Sequence, residues 1–233
     1  MPGTLETAAA GYNEFVRRQA EVEKGDSEVL GMIDSGKYNS VQKGDSVVNW
    51  CNVFTDDVAK KKGVKLPRIK ELPGFGGKGS EDWPENPASA QSLAGFFRAA
   101  SEMPASGVKR VDPAYGKELA NEGEFVIFSG EGHSTVMAPT KKWPNVYRSD
   151  IGNRGEDTRR KVGVSAFAPL YHIDKDKFNE RRSELIRDFN KIPRDKYGYE
   201  MAPVTDGATR AHYERMTREM MREFHEVAPE MGI

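Results

Sequence analysis

Apolar positions recur at three- and four-residue spacing through most of this chain, and at strand spacing in one central region. Leu5, Ala8, Tyr12, Phe15, Val16 and Val22 form a stripe that predicts a packing helix over 4–24, closed by Gly25. A short helical turn over 27–33 and a loop over 34–43 follow. Val53, Phe54 and Val58 give one apolar side to a short helix ending at Gly63. Asp56 and Asp57 are expected toward its positive end and Lys60, Lys61 and Lys62 toward its negative end. Leu93, Phe96, Phe97 and Ala100 mark a helix over 88–101. Asp112-Pro113 reads as an N-cap with proline at the first helical position, for a helix running to Asn121 and stopped by Gly123. Two charged amphipathic helices are predicted at the C-terminal end, over 174–192 and 208–227.

The strand signal lies between these helices. Glu124–Phe128 reads as a buried strand, Ser129-Gly130-Glu131-Gly132 as a turn, and His133–Ala138 as the returning strand, broken by Pro139. Further strands are expected over 145–150 and 161–168, with 169–172 extending the sheet. Residues 71–87 carry four glycines and three prolines around Phe75 and Trp83, and read as a long irregular loop suited to a groove wall. Helices first and an antiparallel run afterwards indicate an α+β class.

Composition narrows the functions open to such a chain. Its 35 basic and 36 acidic side chains are interspersed, for a formal charge of −1, so neither nucleic acid nor a membrane surface is an expected partner. A single cysteine excludes an internal disulfide framework and a cysteine-rich metal site, and no HExxH is present, so no metal and no cofactor are expected. Met1 to Asn13 lacks the basic and apolar regions of a secretory signal, which predicts synthesis in a cytoplasm.

That cysteine sits at a helix start. Unpaired N–H groups there favour the thiolate, the reactive form. His133, entering a strand after a glycine turn, is placed to take the thiol proton, as papain-type catalysis requires. A third group should orient the imidazole from the next strand. Asp150 fits best by position, with Asn145 and Ser149 as alternatives. The backbone N–H of Cys51 is the first oxyanion donor, with Asn49 or Tyr38 as a second. Asn49, Trp50 and Trp83 are the expected substrate contacts. His172 reads as a strand-end residue, and His212 and His225 as helix surface.

With these residues in view, Trp50-Cys51-Asn52-Val53-Phe54-Thr55-Asp56-Asp57-Val58-Ala59, closed by Gly63, resembles the cysteine motif of the NlpC and CHAP peptidoglycan amidases. Ala120-Asn121-Glu122-Gly123 followed by Glu124–Ile127 and Gly132-His133-Ser134-Thr135-Val136-Met137 is similar to their histidine segment. Gly63-Val64-Lys65-Leu66-Pro67-Arg68 resembles the segment after the cysteine helix in type VI secretion amidase effectors. The resemblance covers 38–171. Ser134-Thr135 is more polar than that family pattern, and the third catalytic position varies among these families.

The resemblance implies a papain-like fold, with the nucleophile helix packed on an antiparallel sheet and helices added at both ends. It divides the chain into an N-terminal helix (1–24), a catalytic domain (25–172) and a C-terminal helical extension (173–233). It implies cleavage of an amide in the peptide stem of peptidoglycan, action in the periplasm after delivery by a secretion machine or by lysis, and an immunity protein or secretion component as partner. The rival readings are a papain-fold acyl-transfer or deamidase toxin acting on a protein, and a non-catalytic adaptor that binds through its C-terminal helices.

Overall fold

A computed structural model describes residues 4–38, 41–43, 46–48, 50–72, 87–130, 132–149 and 160–192. The chain has a mixed α+β fold. Helix α1 (Thr4–Asp34) leads to a hairpin of β1 (Val41–Lys43) and β2 (Ser46–Val48), then α2 (Cys51–Lys61) and a 3-10 turn (Ile69–Glu71). Helix α3 (Ala90–Glu102), β3 (Val108–Val111), α4 (Pro113–Asn121), β4 (Phe125–Ser129), β5 (Ser134–Ala138), β6 (Asn145–Tyr147), β7 (Lys161–Gly163), β8 (Leu170–Ile173) and α5 (Lys175–Phe189) follow. The expected helix over 208–227 lies outside the described residues, with His212 and His225.

Six strands form one sheet in the order β3-β8-β4-β5-β6-β7, every neighbouring pair antiparallel. Alternation along the strands gives it two buried faces. Val126, Met137, Val146 and Leu170 pack with Leu119 and Ala120 of α4 on one face. The opposite face carries α2, α3 and α5. Tyr171 stacks on Phe97 of α3, and Tyr147 meets Phe54 of α2 edge-on. Phe96 and Phe97 in turn pack edge-on or tilted against Phe178 and Phe189 of α5.

Three expectations change. Helix α1 does not stop at Gly25 but continues to Asp34. A glycine inside a helix costs only about 1 kcal/mol, and the far half of α1 is held by tertiary contacts. Val29 and Ile33 are buried, Tyr147 Oη and Lys161 Nζ both bond Asp26 (2.7 and 2.8 Å), and Arg160 pairs with Asp34. In the near half, Tyr12, Phe15 and Val16 of the expected stripe are not packed, at 68, 59 and 46% exposure, and the side chains of Leu5 and Ala8 lie outside those described. Helix α5, placed by sequence in a C-terminal extension, buries Phe178, Leu185, Ile186 and Phe189 in the α3 face of the core.

Helix α5 also clips the segment that follows α2. Asn179 accepts from Lys65 N–H and donates to the Gly63 carbonyl, Arg182 donates to the Lys65 and Leu66 carbonyls and pairs with Glu71, and Asn190 donates to the Glu71 carbonyl. Burial pushes the Glu71 carboxyl up, but the Arg182 hydrogen bond and charge and the Arg68 N–H outweigh it, so its pKa falls below the usual 4.5.

Gly107 shows how closely α5 abuts the sheet. Its φ is +73°, and a Cβ built there would lie 2.6 Å from the Phe178 nitrogen and 2.9 Å from the Asp174 oxygen. Gly107→Ala is expected to destabilise the protein by about 3 kcal/mol, through strain and a backbone clash that neither side can relieve. Gly25→Ala meets only Lys62 Nζ at 3.9 Å, and is expected to stabilise by about 0.5–1 kcal/mol. Urea midpoints of the two variants should move in opposite directions.

Candidate functional site

Helix α2 begins at Cys51 because Trp50 leaves the helical region (φ −96°, ψ 24°) while its carbonyl accepts the first helical bond, from Phe54 N–H at 3.0 Å. Among the described residues no side chain caps this end, and the first turn of the helix holds no acidic residue. The partial positive charge of the first N–H groups therefore meets no carboxylate from the helix itself. At the other end Gly63 (φ +76°) closes the helix: its N–H reaches the Lys60 carbonyl and Val64 N–H reaches that of Ala59, the paired bonds of a Schellman motif.

Asp56 and Asp57 do not sit at the positive end, since they are the sixth and seventh helical residues. Asp56 is buried, and its Oδ2 takes Arg68 at 2.6 Å and Lys60 at 3.1 Å. Asp57 takes the Tyr38 hydroxyl at 2.7 Å and Lys37 at 2.6 Å. The Tyr38 hydroxyl is thereby committed six residues down α2 from Cys51, about 9 Å along the axis, and is not an oxyanion donor. Trp50, one of the expected substrate contacts, is 7% exposed and lies directly before Cys51, which is 3% exposed. Asn49 and Trp83 lie outside the described residues.

His133 ends the turn between β4 and β5. Gly130 N–H donates to the His133 carbonyl (3.0 Å), Ser129 pairs with Ser134, and the half-buried imidazole tilts against Phe128 at 6.2 Å. Helix α2 packs on β5, so the strand that starts beside His133 lies against the helix that starts at Cys51. The two side chains are hydrogen-bonded to each other. Cys51 is 3% exposed. Burial pushes its thiol up, but the His133 charge and hydrogen bond, with bonds from the Ser134 N–H and hydroxyl, pull it further down, to a pKa below the ordinary thiol value.

The third position is partly resolved. Asn145 pairs with Ala138, five residues along β5 from His133 and so about 16 Å away at the strand rise, out of reach of the imidazole. Ser149 is buried, and its hydroxyl has no hydrogen-bond partner among the described residues. Extending the β5–β6 register sets it opposite Ser134, on the α2 face. Asp150 lies outside the described residues. Among the described residues no group of acidic, histidine and cysteine side chains could hold a metal ion.

Sequence reasoning missed two residues here. The Thr55 hydroxyl lies 2.8 Å from the Cys51 carbonyl and 3.3 Å from Ser134 Oγ, tying the cysteine turn to β5. Both are fully buried polar side chains. The signal for Ser134 was its departure from the apolar pattern expected after Gly-His.

No protein-family model, curated protein or solved structure matches this chain.

Because His133 offsets the effect of burial on the thiol, His133→Ala should leave Cys51 with a raised pKa. Alkylation by iodoacetamide near pH 7, read by mass on the single cysteine, should then slow at least about tenfold, the change that one pKa unit gives. An unchanged rate would separate the thiol's reactivity from the imidazole.

Proposed function

We propose that this protein is a papain-like cysteine amidase that cuts an amide in the peptide stem of bacterial peptidoglycan. The observation that carries the reading is the hydrogen-bonded Cys51–His133 pair, built from a helix N-terminus and the strand packed on it. The cysteine and histidine segments, whose residues resemble the cell-wall amidases, supply the substrate class.

The Cys51 thiolate attacks the amide carbonyl, forming a C–S bond and a tetrahedral oxyanion that accepts from the Cys51 N–H. The His133 imidazolium gives its proton to the leaving amine as the C–N bond breaks. Water then gives a proton to His133 and attacks the thioester. The C–S bond breaks, the carboxylic acid leaves, and the thiolate–imidazolium pair is restored. Asp150 follows Ser149 directly in the chain, and is the proposed group that fixes the imidazole tautomer. The α+β sheet with the cysteine helix on one face supports a papain-like arrangement. The same resemblance supplies the rest of the reading: delivery to the periplasm by a secretion machine or by lysis, with an immunity protein guarding the producer in the first case.

Directed to a periplasm, the wild-type chain should lyse cells, and purified sacculi should release muropeptides whose masses identify the bond cut. Cys51→Ala should lose both effects, about 10⁴-fold or more in rate, with its circular dichroism spectrum retained. Digestion of sacculi by the Ala variant would remove Cys51 from the chemistry. Intact sacculi with the wild type would remove the substrate.

A further inference from the structure

Position 55 lies on the buried side of the cysteine helix and is 0% exposed. A threonine there brings the helix itself no gain. Its branched side chain is stiff and makes it a weak helix former. A helical hydroxyl that donates to the carbonyl four residues back also tends to bend and slightly destabilise the helix. The Thr55 hydroxyl does donate there, to the Cys51 carbonyl at 2.8 Å. In an α-helix that carbonyl already accepts from the Thr55 N–H, so the hydroxyl is not needed to satisfy it. The contact that the backbone could not supply is the second one. The same hydroxyl lies 3.3 Å from Ser134 Oγ on β5.

We infer that Thr55 is a positioning residue for the Cys51–His133 pair, its hydroxyl bridging the cysteine turn and the histidine strand so that sulfur and imidazole keep their separation. The inference rests on that pair as the proposed amidase uses it, and not on peptidoglycan as the substrate. What the two contacts join is specific. One acceptor is the main chain of the residue that carries the sulfur. The other is the side chain of the residue directly after His133. One proton serves both, as in the three-centre bonds common at helix termini. The shorter branch fixes the peptide from which the Cys51 side chain hangs, and the longer branch sets α2 against β5. Such a fixture matters because a misplacement of about 1 Å at a reacting group costs about 10² in rate. Thr135 supplies the comparison. It is also 0% exposed and adjoins Ser134, but its hydroxyl donates to the Tyr147 carbonyl of β6 at 2.6 Å, a bond inside the sheet.

The test is the pH profile of iodoacetamide alkylation on the full-length chain, read by mass at its single cysteine. Thr55→Val keeps the branched shape and removes the hydroxyl. It should raise the inflection by about half a pH unit or more, which is about threefold in thiolate at neutral pH. Thr55→Ser keeps the hydroxyl and should hold the wild-type inflection. Thr135→Val loses a hydroxyl at the same depth and should hold it too. Ser134→Ala removes the acceptor from the strand side and should shift the profile as Thr55→Val does, which keeps the proposal testable where Thr55→Val does not fold. A Thr55→Val or Ser134→Ala profile that overlays wild type overturns this inference and leaves the proposed amidase intact. So does a shift that Thr55→Ser or Thr135→Val shares. A wild-type inflection at the ordinary thiol value overturns both.

Discussion

Everything at the site depends on burying a polar helix. Eight of the eleven residues of α2 are buried, and three of them, Asn52, Thr55 and Asp56, carry polar groups that the core accepts only with partners. Each finds its partner on a different element. Asn52 donates to the Ala88 carbonyl just before α3, Thr55 meets Ser134 on β5, and Asp56 takes Arg68 from the segment beyond Gly63. Three polar contacts in three directions leave little freedom to rotate or slide. The apolar residues Val53, Phe54 and Val58 would bury comparable area in several orientations, whereas the polar ones specify one. That orientation puts the first turn, and the sulfur it carries, beside His133.

The same arrangement settles the electrostatics. A thiol shut away from water resists ionisation, so burial alone would make Cys51 inert. An adjacent imidazole, two bonds from Ser134 and a helix start free of acidic side chains act in the other direction. The carboxylates of α2 are kept off the thiol by their own partners, Asp56 by Arg68 and Lys60, Asp57 by Lys37 and Tyr38. Lysine and arginine thus do more than balance charge along this helix: they hold the negative groups away from the end where a negative sulfur is wanted.

Local signals were well represented in the sequence. Helices α3, α4 and α5, the Asp112 cap and the β4–β5 hairpin follow from periodicity and turn chemistry, and the structure moves their ends by three residues or fewer. The Cys51–His133 pairing was also legible, because helix start and strand start are both marked in the residues. What could not be read depends on distant partners. Gly25 is carried through α1 by contacts with Tyr147 and Lys161, more than a hundred residues away. Strand β3 has only Val108 and Val111 turned inward around two basic residues, too short a pattern to stand out. Asp56 and Arg68 both belong to the segments that carry the family resemblance, yet nothing local says that they meet. That Ser129, Ser134 and Ser149 fall level with one another is visible only once three strands are set in register.

The sheet order has a consequence for how the chain is made. Strand β8 is the last of the six in sequence, yet it lies between β3 and β4. A ribosome delivers residues in order, so β3 and β4 emerge well before the strand that joins them. Until residues 170–173 arrive, the hairpin that ends in His133 has an open edge along β4, with backbone groups exposed that would pair with any strand available. The support under His133 is therefore completed late, and an incomplete chain carries both halves of the Cys51–His133 pair without the sheet that holds them together. Non-local pairing of this kind makes folding slow, and a chaperone that shields the β4 edge during synthesis would act on the interval in which this protein is most open to aggregation.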